Sequence, residues 1–173
     1  MTGKFVISLD YELLWGVRDH ADRTSYGANI LGARTAIPLM LELFKKYNIS
    51  ATWATVGFLF CGSRDELMGS LPPAKIRPSY KDKRLSAYQY LDEVGANEEE
   101  DPFYYGASLI DRIQNTPNQE IATHTLSHYY CLEPGQKDAH FEADVTAAVK
   151  LAGQRGIELS SIVFPRNQYS QNH

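Results

Sequence analysis

The chain has 173 residues, 43% of them hydrophobic and 22% charged, with a formal net charge of −4. This composition suits one globular domain, residues 1–173, with apolar material enough for a sizeable core. The acidic balance argues against nucleic acid or an anionic membrane surface as partner, since clustered Lys and Arg hold both; no stretch approaches the ~20 apolar residues of a membrane span.

The first apolar run, Phe5 to Leu9, is too short for a signal-peptide core and an acid follows it at once, so a cytoplasmic location is expected. The run reads as a buried strand. A polar loop rich in Arg, Asp and Gly follows. Ile37, Met40, Leu41, Phe44 and Tyr47 then fall at helical spacing and predict an amphipathic helix, with Pro38 confined to its first turn. Ala51 to Val56 forms the second strand, ended by Gly57. Residues 61–105 read as a helix start and then a long irregular insertion, holding Pro72, Pro73, Pro78 and an acidic run from Glu98 to Asp101. Such a segment serves as a lid or wall, or is a mobile insertion; both readings stay open. Its basic cluster, Lys75 to Arg84, reads as a solvated loop.

A short helix near Ser108 to Asn115 precedes the third strand, Glu120 to Thr123. A second amphipathic helix runs from about Ala139 to Arg155. Phe141, Val145, Ala148 and Ala152 form its apolar face, and Gly156 stops it. Ile162 to Phe164 is the fourth strand. Strands alternating with helices imply an α/β fold of parallel strands with flanking helices. Trp15 and Trp53 are expected in the core, with Trp15 alternatively lining a sugar site. His20 and His140 are expected at the surface, and His173 is terminal. Cys61 and Cys131 form no CxxC, and no disulfide is expected of them in the cytoplasm.

The chemistry-bearing residues share a placement. Asp10 ends the first strand, His124 ends the third, and Pro165-Arg166 follow the fourth; C-terminal strand ends are where α/β sites assemble. His124-Thr125-Leu126-Ser127-His128 is an HxxxH. On one helical turn both imidazoles share a face and reach one ion, although the spacing by itself is a weak signal. Asp10-Tyr11-Glu12 supplies carboxylates. In extended chain, residues i and i+2 point to one side, so Asp10 and Glu12 face one site while Tyr11 packs away. Two histidines and a carboxylate leave an open position on zinc. The Arg166 guanidinium could fork onto a carboxylate.

Together these segments resemble the polysaccharide deacetylase family, the NodB-homology domains of carbohydrate esterase family 4. The resemblance lies in Ser-Leu-Asp10-Tyr-Glu12, in Ala51-Thr-Trp-Ala-Thr-Val-Gly57, in His124-Thr-Leu-Ser-His128 and in Phe164-Pro165-Arg166-Asn-Gln-Tyr169. It covers Phe5 to Gly57 and Glu120 to Tyr169. It implies a distorted (β/α)7-type barrel, of which four strands are counted here, so an N-terminal portion truncated at the C-terminus is expected. It departs from the family in three ways: Asp10-Tyr11-Glu12 replaces a paired Asp-Asp, Pro precedes Arg166 instead of following it, and the later motif that supplies a general-acid histidine is absent.

The resemblance implies a hydrolase of carbon–nitrogen bonds that removes N- or O-linked acetyl groups from a carbohydrate. Glu12, His124 and His128 would hold a divalent metal, zinc by expectation; Asp10 would act as base and Arg166 would orient it. The partner would be an acetylated sugar or glycan precursor; the oligomeric state is open. The chain by itself is expected to bind metal and turn over poorly or not at all. Two rivals stay open: a hydrolase of small cyclic amides on the same scaffold, with or without metal, and a non-catalytic sugar-binding relative.

Overall fold

A computed structural model describes residues 3–170; His173 lies outside them. Strands β1 (Ser8–Tyr11), β2 (Ala51–Thr55) and β3 (Gln119–Thr123) form one parallel sheet in the order β1-β2-β3. Asp10 pairs with Ala54, and Thr55 with Thr123, so all three strands end near one level. Among the described residues the sheet is not closed into a barrel.

Two strand expectations need correction. β1 starts at Ser8, and Phe5 and Val6 are 91% and 74% exposed. The last rung toward the N-terminus is Thr52 N–H to the Ile7 carbonyl, 3.0 Å, because the partner strand β2 begins at Ala51. The fourth strand is reduced to one parallel bridge, Thr123 with Ile162. Pro165 has no N–H to extend a ladder, and Arg166 and Asn167 turn away at φ 53° and 54°.

Helix α1 spans Arg23–Lys46 and so occupies most of the expected loop. Its start is a capping box: the Asp22 carboxylate accepts from the Thr24 and Ser25 N–H groups, and Ser25 Oγ accepts from the Asp22 N–H. This early cap leaves Pro38 in the helix interior, not in the first turn. Gly27, Ile30, Ile37 and Leu41 form the buried side of α1.

Helix α2 (Arg64–Ser70) opens the 61–105 segment, and α3 (Ala107–Gln114) follows it. The segment is a packed wall of short 3-10 turns. Tyr80, Leu85, Leu91 and Val94 are buried, and the buried Asp101 carboxylate accepts from Arg23 (2.7 Å) and the Gly95 N–H (2.9 Å). In the Lys75–Arg84 cluster Lys75, Lys81, Lys83 and Arg84 are exposed, as expected of a solvated loop, while Tyr80 is buried and Arg77 stacks 4.8 Å from the Tyr88 ring centroid.

Helix α4 (Asp138–Gln154) ends before Gly156, whose φ of 70° favours glycine. Its buried residues are His140, Asp144, Ala148, Leu151 and Ala152. Phe141 and Val145 are half-buried, and His140 leaves the surface expected for it. The inward face is turned so that Asp144 meets the loop after β3. Trp15 and Trp53 are buried as expected; the Trp15 indole N–H donates to the Tyr104 carbonyl at 2.9 Å. No helix among the described residues is long and apolar enough to cross a membrane.

Candidate metal centre

The centre is built where β1 and β3 end. Glu12 follows β1 directly, and His124 follows β3. The carboxylate Oε2 of Glu12 lies 3.0 Å from His128 Nε2 and 3.5 Å from His124 Nε2. One ligand atom from each of the three residues lies within 4.8 Å of the others, so the group could hold a metal ion. Four ligands at tetrahedral angles and bonds of about 2.0–2.1 Å would stand roughly 3.3 Å apart. The two observed separations bracket that value.

A second observation concerns protons. His124 Nδ1 sits 2.8 Å from the Val163 carbonyl oxygen. A carbonyl only accepts, so Nδ1 carries a proton, and the neutral tautomer this selects has a bare lone pair at Nε2. That lone pair faces a carboxylate oxygen. Two acceptors at 3.5 Å repel unless a cation lies between them. His128 Nδ1 meets the Tyr130 hydroxyl at 3.0 Å, which fixes the second ring. Metal-ligating histidines are oriented in this way through their other nitrogen.

The electrostatics suit ligands. Burial disfavours the Glu12 carboxylate, but the two imidazoles facing it, His124 and His128, outweigh burial and hold its pKa near 2. Burial drives His128 down to about 4, against the pull of Glu12. At neutral pH the carboxylate is ionised and the His128 imidazole is neutral, the states in which each donates electrons to a metal.

The HxxxH is not a helical turn. Thr125 and His128 take φ of 65° and 55°, and the segment is an irregular loop, wholly buried. Its backbone is tied down throughout. His124 N–H donates to the Thr55 carbonyl (2.8 Å), while the Thr125 and Leu126 carbonyls accept from Gly57 (2.8 Å) and Phe58 (3.1 Å). A Cβ on Gly57 would stand 2.9 Å from Leu126 Cα, so glycine permits this approach of β2's end to the loop. The Tyr130 N–H donates to the Tyr80 hydroxyl at 2.9 Å, so the 61–105 wall buttresses the loop from outside.

The structure brings Glu12, His124 and His128 together and leaves Asp10 and Arg166 apart from that cluster. Asp10 is exposed at the end of β1, and with Glu12 it lines a cavity of about 320 Å³ between β1 and α1. Arg166 does not fork onto Asp10. Its Nη2 lies 2.8 and 2.7 Å from the two Asp19 carboxylate oxygens, and its guanidinium stacks 4.9 Å from the Tyr130 ring centroid. The left-handed turn at Arg166 and Asn167 directs the side chain there.

Four supporting features escaped the sequence: Gly16, Tyr130, the Val163 carbonyl and Asp144. A Cβ on Gly16 would stand 1.9 Å from Glu12 Cδ, so the carboxylate rests where only glycine leaves room. Spacing offered one clue, since Gly16 stands four residues after Glu12. A carbonyl orienter has no side-chain signature at all. No protein-family model matches this chain, and no curated protein matches it.

Proposed function

We propose that the chain is a metal-dependent hydrolase of the polysaccharide deacetylase type, removing N- or O-linked acetyl groups from a carbohydrate. The observation that carries this reading is the Glu12-His124-His128 cluster at the C-terminal ends of parallel strands, with Asp10 two residues before the carboxylate ligand. Zinc suits two imidazoles and one carboxylate with an open fourth position. Bound there, it supplies Lewis acidity toward an acetyl carbonyl and toward water.

The chain's own groups do the rest. His124 and His128 present Nε2 because Val163 and Tyr130 engage Nδ1. The exposed Asp10 carboxylate takes the proton of the attacking water. Arg166 is engaged by Asp19 and is assigned no part in activating the base. The substrate proposed is an acetylated sugar or glycan precursor, and the proposed setting is the cytoplasm.

The test is zinc titration of the metal-free protein by calorimetry, with acetate release from acetylated sugars measured in parallel. One zinc per chain is expected, lost in Glu12→Ala, His124→Ala and His128→Ala. Metal-dependent acetate release, even if slow, should vanish in Asp10→Asn with zinc still bound. Zinc binding without acetate release from any sugar would remove the deacetylase and keep the metal centre; no zinc binding would remove both.

A further inference from the structure

We propose that Asp144 is the positioning residue that holds the His124–His128 loop in ligand geometry; this rests on reading Glu12, His124 and His128 as a metal centre. Asp144 is not itself a candidate ligand, since it stands outside the cluster of ligand atoms.

The loop has a problem to solve. It is buried throughout and belongs to no helix or strand, and the end of β2 and the turn after it engage only the His124 N–H and the Thr125 and Leu126 carbonyls, leaving the Leu126 and Ser127 N–H groups to be met from elsewhere. Buried N–H groups need partners. It also holds two non-glycine residues in left-handed backbone, Thr125 and, within the ligand pair, His128. Left-handed backbone is disfavoured for residues that carry a Cβ. A loop under these demands relaxes unless something overrides them.

Asp144 meets the demand from a rigid element. It sits in the body of α4 and is 1% exposed. Its Oδ1 accepts from the Leu126 N–H at 2.6 Å and the Ser127 N–H at 3.4 Å, and its Oδ2 from the Ser127 hydroxyl at 2.5 Å. These donors are the two residues directly before His128. A short side chain on a packed helix thus fixes the backbone from which the second imidazole projects.

The other side of the same loop is held by a buried cation. Arg18, 5% exposed, donates to the Ser127 carbonyl at 3.4 Å and to the Leu85 carbonyl at 2.6 Å. Neither Asp144 nor Arg18 has an ion pair among the described residues. They engage the two peptide groups that flank the Ser127 Cα, Asp144 at the N–H and Arg18 at the carbonyl. A buried carboxylate with neutral donors adds less stability than a well-packed apolar side chain. Its placement on this loop therefore points to geometry, not to core stability.

The test measures metal affinity, not turnover. Zinc is titrated into the metal-free parent, Asp144→Ala, Asp144→Asn, Ser127→Ala and Ile113→Val, the last a buried α3 position that serves as packing control. Cobalt spectra of each report ligand geometry. Asp144→Ala is expected to lose at least about tenfold in affinity, as supporting residues of metal ligands do. Asp144→Asn keeps an acceptor oxygen and should fall between it and the parent; Ser127→Ala should lose a few-fold. Ile113→Val should melt earlier yet bind like the parent, with its cobalt spectrum unchanged. If Asp144→Ala does not fold, the Asn and Ser127 variants decide. Affinities within twofold of the parent in every folded Asp144 and Ser127 variant, or an equal loss in Ile113→Val, would overturn the proposal while the centre stands. A parent without zinc affinity would overturn both.

Discussion

At Glu12 two demands meet. Its carboxylate must stay within reach of two imidazoles, and it must have room to lie beside the chain that carries it. Gly16 supplies the room. Gly16→Ala is therefore expected to displace only the end of a flexible side chain, changing unfolding free energy by less than about 1 kcal/mol. Metal affinity should nonetheless fall at least about tenfold. Calorimetric zinc titration beside chemical denaturation separates the two; a large stability loss with normal affinity would refute this role. His128 carries a pH signature. Its folded-state pKa of about 4 lies below the ordinary 6.5. As pH falls through that window the unfolded chain takes up a proton before the folded one does, so stability drops. Relative to His128→Asn, the metal-free parent should lose on the order of 3 kcal/mol between pH 6.5 and 4. The comparison is a difference because burial raises Asp144 to about 6, which acts in the opposite sense in both proteins alike.

At the scale of elements, α1 tests how a helix tolerates an internal proline. Pro38 removes the N–H that would reach the Arg34 carbonyl, a defect of roughly 3 kcal/mol in an exposed helix. The Asp22 cap and burial of Ile30, Ile37 and Leu41 outweigh it. Pro38→Ala should raise unfolding stability by about 1–2 kcal/mol, less than the full defect because alanine also frees the unfolded chain. Zinc affinity should be unchanged. Denaturant melts read the first effect, and a destabilised variant would contradict it. The same helix shows what the sequence conveys. Apolar spacing from Ile37 to Tyr47 marks its second half, but its first half lacks that stripe and is started by a side-chain cap. β2, β3, α3 and α4 were legible because their periodicity is local. The end of the fourth strand was not, since one bridge at Ile162 depends on where Pro165 and the turn at Arg166 fall in space.

Across the whole molecule, the three proposed ligands were legible as residue types at strand ends, whereas their mutual distances were not. HxxxH spacing suggests a helical turn, yet the imidazoles converge through a left-handed loop braced by Asp144, Gly57 and the 61–105 wall. Those braces are distant in sequence and chemically ordinary, so no local pattern announces them. Ligand binding to the folded state alone must stabilise the whole chain. At zinc one hundred times its Kd the gain is about 2.7 kcal/mol. For a chain of this size that raises Tm by roughly 5–10 °C, and a chelator should reverse it. An unshifted melting curve would exclude tight binding to the folded form.

The carbonyl that sets the His124 proton belongs to Val163, 39 residues further along the chain. The order in which the pieces emerge during synthesis then matters. Glu12 leaves the ribosome first, the histidine pair much later, and the group that fixes the His124 tautomer last of all. Until Val163 has emerged, Glu12, His124 and His128 are present without the orienter that sets the His124 tautomer. Tight capture waits on docking of the Val163 segment, so metal occupancy in a population of these chains counts the molecules whose long-range contacts are complete.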